Sequence, residues 1–171
     1  MHNEDLWSPW RYEYIQDLKR QQDEAGGDDA VQSNFLLEYW ESPDCDRENL
    51  VVMRNRDGLV LLNRYPYANG HLLVALGEAR PTLLDYEPSQ RRAFWDLIES
   101  AAEMMRSSLH PQGVNIGINE GRAAGAGLPE HLHAHLVPRW NGDTNFITTI
   151  SEVRVIPASL ETMWEMYVSK G

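Results

Sequence analysis

Cysteine is almost absent from this chain of 171 residues: Cys45 stands alone. A single cysteine closes no intramolecular disulfide and builds no Cys-x-x-Cys metal or redox motif. No apolar run approaches the roughly 18 residues of a membrane-spanning helix, and "MHNEDLWSPW" lacks the basic-then-apolar layout of a secretory leader. These absences make the cytoplasm the expected location and a membrane an unexpected partner. Positive charge is scarce too: 15 Lys and Arg face 26 Asp and Glu, a formal net charge of -11 at pH 7. That field repels a polyanion at long range and no basic stripe interrupts it, so nucleic acid is not an expected partner. A small anion is still admissible, because oriented backbone N–H groups and a few histidines make a locally positive site inside an acidic protein.

What is present is the composition of a globular domain, with 42% apolar residues and six tryptophans. A domain of about 150 residues already buries roughly two-thirds of the surface its unfolded chain exposes. "LWSPWRYEYIQDLKRQQ" offers Ser8 as N-cap, Pro9 as first helical residue, and Trp10, Tyr14 and Leu18 at four-residue spacing, the pattern of a short amphipathic helix. "DEAGGDDA" is a solvated linker. "SNFLLEYWES" adds a helical turn or two. Residues 1–45 are thus expected as an N-terminal helical extension and linker, 46–150 as the central domain, and 151–171 as a C-terminal helical extension.

From Asp46 the pattern turns to short, apolar, β-branched runs. "NLVVMRN" and "LVLLNR" read as two strands joined through Asn55, Asp57 and Gly58, and "HLLVALG" as a third, an antiparallel meander. In "EPSQRRAFWDLIESAAEMMRSSLHPQG" the period changes: Ser89 is the expected cap, Phe94, Leu97, Ile98, Ala101, Met105 and Leu109 repeat at three and four, and Pro111 and Gly113 end the helix. "GVNIGIN" and "HLHAHLV" alternate as strands do, with the Gly- and Ala-rich loop "EGRAAGAGLPE" between them. "VIPASLETMWEMYVSK" supplies a last helix. The expected fold is α+β, an antiparallel sheet of about five strands covered on one face by a long helix, with further helices at both ends.

The stretch that carries chemistry is "PEHLHAHLVPRW". In a strand, residues two apart share a face and advance about 6.6 Å, so His131, His133 and His135 form one row while Leu132, Ala134 and Leu136 face the core. The outer two histidines then lie about 13 Å apart, too far to share one ion. His131 and His133 with His71 remain a conceivable metal set, but no carboxylate or cysteine nearby is an obvious further ligand. A row of merely solvated or packed histidines is the plainest alternative, yet three of the six histidines in one row favour a site. Neutral imidazole is a good nucleophile toward phosphorus near pH 7, and backbone N–H groups of Ala123 to Gly127 are unobstructed donors for phosphate oxygens. Such a row beside an anion nest suits phosphoryl or nucleotidyl transfer. Trp140, at the strand end, is a candidate for stacking on a base, with packing or a dimer contact as the alternatives.

"HLHAHLV" resembles the His-φ-His-φ-His-φ-φ signature of the histidine triad superfamily of nucleotide hydrolases and transferases. "NRYPYANGHLLV" is similar to the family's ribose-contacting strand and following Gly-His, and "NEG" precedes the glycine loop; the likeness spans about Asn49 to Arg139. The flanks "LWSPWRYEYI" and "PRWNGDTNFITTI" resemble the branch that contains bacterial diadenosine tetraphosphate phosphorylases. The resemblance implies that His133 attacks the α-phosphorus of a dinucleoside polyphosphate or other nucleotide, giving a nucleotidyl-histidine that water or phosphate resolves. It also implies that His131 supports His133, that His135 and His71 contact the phosphate with Asn119 and the amides of Gly125, Ala126 and Gly127, and that Asn63 meets the ribose. It implies a homodimer with a continuous sheet and no required cofactor. Relatives with a Cys-x-x-Cys zinc site differ here, where the region reads "NFLLEYW", so no structural zinc is expected. The loop "AGAGLPEH" also lacks the hydroxyl many relatives carry, which removes the side chain expected to protonate the leaving group. A nucleotide-binding regulatory module with little turnover is the alternative that this gap would favour. A third histidine, where sugar-nucleotide transferases of the superfamily carry glutamine, argues against that branch.

Overall fold

The computed structural model describes residues 33–143 and 158–169. The helix expected over "LWSPWRYEYIQDLKRQQ" lies outside the described residues. The chain divides into two compact units, and the one formed by Asn34–Asn141 and Ile156–Gly171 carries every element named here. Helix α1 (Phe35–Glu41) precedes the meander β1 (Val51–Arg54), β2 (Gly58–Leu62) and β3 (Leu72–Leu76). The long helix α2 (Pro88–Leu109) leads to β4 (Gly113–Ile118), β5 (His133–Arg139) and, later, α3 (Leu160–Val168). The sheet order is β1-β2-β3-β5-β4, with every neighbouring pair antiparallel, as the alternating patterns require. No described helix is long and apolar enough to cross a membrane.

Two boundaries differ from the expectation. Helix α2 begins at Pro88 with Glu87, not Ser89, as its N-cap. Glu87 and Gln90 exchange side-chain and backbone bonds in a capping box, and proline at the first helical position loses no hydrogen bond. Strand β5 starts at His133 instead of His131, because His131 still belongs to the turn out of the glycine loop, its N–H donating to the Leu128 carbonyl.

Alternation sorts the sheet into two faces. Leu72, Val74, Leu132, Ala134 and Leu136 pack with Phe94, Leu97, Ile98, Ala101 and Met105 of α2 in the main core. The opposite face is not open, as a single covering helix would leave it: Leu36 of α1 and Leu128 of the glycine loop bury Val51, Leu59, Leu61, Leu73 and Ala75. All residues of β2 and β3 are therefore buried. Helix α1 is held closely. A Cβ on Gly77 would stand 2.2 Å from the Trp40 indole, so only glycine admits that ring. At the end of α1, Arg54 donates to the carbonyls of Trp40 (2.9 Å) and Tyr39 (2.8 Å), the latter also accepting from the Ser42 N–H, and its guanidinium pairs with Asp46.

Helix α3 secures the other flank. Ser159 caps it, Met163 and Tyr167 are buried, and the Tyr167 hydroxyl donates to the Gly70 carbonyl at 2.7 Å, fixing the loop before His71. The Trp164 indole N–H donates to the Val51 carbonyl at 2.9 Å, so α3 occupies part of the β1 edge, where a register shift between Val51 and Met53 already disturbs pairing. The β4 edge is different: Asn115, Ile116 and Gly117 are exposed.

Candidate active site

The histidine row exists, but its members are buried unequally. Leu73 faces His135 and Ala75 faces His133 across the β3–β5 ladder, which puts the imidazoles on the sheet face opposite α2. His131 is 0% exposed and His133 5%, whereas His135 is only partly buried, so the accessible end of the row is at His135. The fourth histidine, His71, opens β3 beside them and is fully buried. Its ring centroid lies 5.2 Å from that of His135, and the rings of His133 and His135 are 5.1 Å apart.

Hydrogen-bond partners decide which nitrogens carry protons. His133 Nδ1 is 2.8 Å from the His131 carbonyl, which only accepts, so Nδ1 holds the proton and Nε2 keeps its lone pair. At the other end of the row, the Tyr67 backbone N–H, which only donates, points at His71 Nδ1 at 3.1 Å. The neutral His71 ring must then carry its proton on Nε2, 3.0 Å from His135 Nδ1. His135 accepts there and, neutral, presents Nε2–H as a donor. A lone-pair nitrogen and an N–H donor on adjacent rings are what attack on phosphorus and capture of a phosphate oxygen require.

Burial favours the neutral form of His131, His133 and His135. Desolvation lowers the pKa of His131 and of His133, although each gains some back from its carbonyl partner. His135 is pushed down to about 4, chiefly by burial and secondarily by His133. A nucleophile must be unprotonated, and His133 meets that condition at neutral pH without a neighbouring base.

The other expected residues fall into three groups. Gly117 lies opposite His135 on β4, and a Cβ built there meets nothing within 4 Å, so the space beside His135 is open; Asn119 follows one residue past the end of β4. Asn63 has its polar ends in the loop that holds His71: Oδ1 accepts from the Tyr65 N–H at 2.9 Å, and Nδ2 lies 3.3 Å from His71 Nδ1. Two expected phosphate-holding amides close turns within the glycine loop, Gly125 to the Arg122 carbonyl and Ala126 to that of Gly121. The Gly127 amide has no such bond among the described residues.

His71 has both ring nitrogens engaged inside the protein, Nδ1 by the Tyr67 N–H and Nε2 by His135. Trp140 sits just past the end of β5, five residues beyond His135, which at strand rise is about 16 Å away. Tyr67 was not foreseen at all. Its amide sets the tautomer of His71, and its ring stacks on His71 with centroids 4.8 Å apart. A backbone donor leaves no trace in side-chain patterns. Glu120 was also missed; its carboxylate accepts from the Leu83 N–H at 2.9 Å and staples the start of the glycine loop to the 83–85 turn.

This geometry has counterparts. An AP-4-A phosphorylase of Mycobacterium tuberculosis is 36% identical over 156 residues, covering 91% of this chain and 77% of that one. An asymmetrical bis(5'-nucleosyl)-tetraphosphatase of Schizosaccharomyces pombe is 30% identical over 93 residues, 54% of this chain and 50% of that one. Among solved structures, a zinc-bound histidine triad family protein from Mycobacterium smegmatis superposes with a TM-score of 0.62 at 27% identity, covering 77% of this chain and 90% of that one. The HIT domain family matches residues 46–142, from before β1 to just past β5 and so around the whole histidine row. The chain belongs to the HIT domain, or histidine triad, family.

Proposed function

We propose that this protein is an enzyme that cleaves a dinucleoside polyphosphate such as diadenosine tetraphosphate at the α-phosphorus through a nucleotidyl-His133 intermediate. The observation that carries the reading is the bond from His133 Nδ1–H to the His131 carbonyl, which leaves the Nε2 lone pair as the reacting group. In the first step that lone pair forms an N–P bond as the bond from phosphorus to the bridging oxygen breaks, and the remaining nucleoside polyphosphate departs with that electron pair. His135 Nε2–H donates to a non-bridging oxygen as charge grows. In the second step an oxygen of orthophosphate or water attacks phosphorus, the N–P bond breaks, and the lone pair returns to Nε2. Orthophosphate is the acceptor favoured by the 36% identical relative, which is named as a phosphorylase.

Product analysis with diadenosine tetraphosphate, in the presence and absence of orthophosphate, tests this. Phosphorolysis gives ADP and ATP only with phosphate. AMP and ATP in both conditions would mean water is the acceptor, and no turnover across a nucleotide panel would favour the regulatory module.

The residues present do not fit a thiolate zinc site. Among the described residues no group of three or more His, Cys, Asp and Glu side chains is placed to hold a metal ion, and Cys45 is exposed. The proposed steps use only this chain's own groups.

The same reading includes a homodimer joined along the open β4 edge. Ile116 there is 46% exposed, and an edge strand with no further neighbour among the described residues invites another strand. Sedimentation equilibrium is expected to give twice the chain mass, and Ile116→Lys the monomer mass. A monomeric wild type at tens of micromolar would rule the edge out as an interface.

A further inference from the structure

Helix α1 precedes the family match, which begins at residue 46, yet it reaches the histidine row. The contact is Asn34. Its side-chain Oδ1 accepts from the Leu37 N–H at 3.1 Å, capping the helix, and the same atom lies 3.0 Å from His131 Nδ1. The opposite edge of the His131 ring is pinned as well, with Nε2 2.8 Å from the Leu76 carbonyl of β3. His131 is thus gripped at both nitrogens, between α1 and the sheet. Its own carbonyl is the acceptor of His133 Nδ1–H.

We propose that Asn34 is a positioning residue for the reaction: it locks the His131 ring against Leu76 and thereby sets the main-chain carbonyl that orients His133. The proposal rests on His133 being the nucleophile. Both partners of the ring are oxygens that accept, since Oδ1 also holds the Leu37 N–H, so the grip is complete when His131 carries a proton on each ring nitrogen. The grip is stiff because α1 cannot drift: Leu36 is fully buried, Trp40 presses on Gly77, and Arg54 holds the carbonyls at the helix end. His131 lies in the turn before β5 and not in the ladder, so releasing its ring lets the backbone of that residue shift, and a shift of its carbonyl changes the line of attack of His133 Nε2.

Two variants separate the capping role from the positioning role. Asn34→Ser keeps a good N-cap but is one bond too short to hold Leu37 and His131 together. Asn34→Asp retains acceptors for both. Asn34→Ser is expected to lower kcat about ten- to a hundred-fold, as loss of an orienting partner does, with KM changed less than about twofold. Its unfolding midpoint should stay at the wild-type value, and Asn34→Asp should recover most of kcat. In wild-type protein, 1H–15N correlation spectra of the His131 ring should show a hydrogen-bonded Nδ1 whose shift moves in Asn34→Ser. Wild-type kcat in Asn34→Ser, an equal loss in both variants, a loss of rate that tracks a loss of stability, or an unmoved Nδ1 signal would each overturn the proposal. The spectra report the Asn34 contact whether or not the protein turns over, whereas full activity in a His133 variant would sink the nucleophile reading alone.

Discussion

Replacing His133 with asparagine is expected to cut turnover of a dinucleoside polyphosphate by at least about 10,000-fold, the scale on which enzymes lose activity with their nucleophile. Nucleotide binding should survive. Asparagine is close to imidazole in size near the backbone, and its amide nitrogen can still donate to the His131 carbonyl that now receives Nδ1–H. What it lacks is a basic lone pair at the Nε2 position, so no N–P bond forms. Turnover and equilibrium binding measured on the same preparation make the comparison. Turnover near the wild-type rate would transfer the nucleophilic role to another group.

Acid should destabilise the protein through the same rings. An unfolded histidine titrates near its ordinary value of about 6.5, whereas burial holds His135 at about 4 in the folded state. Between those values the unfolded chain binds more protons than the folded one, so stability is full above pH 6.5 and is lost as pH falls toward 4. For His135 the complete loss is about 3 kcal/mol, and His131 and His133, shifted the same way by burial, add to it. At pH 5.5, above the sequence pI of 4.9, His135 alone should already cost about 1–2 kcal/mol relative to pH 7.5. Urea denaturation at the two pH values measures this as a lower midpoint in acid. Equal midpoints would mean that the rings are hydrated in the folded protein. The depressed pKa values also place the acid limb of activity below pH 6.5, since His133 stays unprotonated there.

The fold was legible wherever one period dominated. Phe94, Leu97, Ile98, Ala101 and Met105 announced α2, and they are among its buried residues. The alternation of histidine with Leu132, Ala134 and Leu136 announced the division of faces at β5, because side-chain direction in a strand depends only on parity. The start of α2 was misplaced because a serine cap and a glutamate capping box are both plausible one or two residues apart. The burial of the second sheet face was missed because Leu36 and Leu128 lie far from the strands they cover in sequence.

The sequence by itself determined which groups can react: three imidazoles at alternate positions, beside a glycine loop without a hydroxyl. These follow from residue type and from a two-residue repeat, both local properties. The tertiary structure alone decided which nitrogen of each ring holds its proton and how deep each ring lies. The Tyr67 amide, the His131 and Leu76 carbonyls and the Asn34 side chain make those choices. Asn34 stands 97 residues from the ring it holds. A tautomer depends on what faces each ring nitrogen across a few ångströms, and that pairing exists only once the chain has folded.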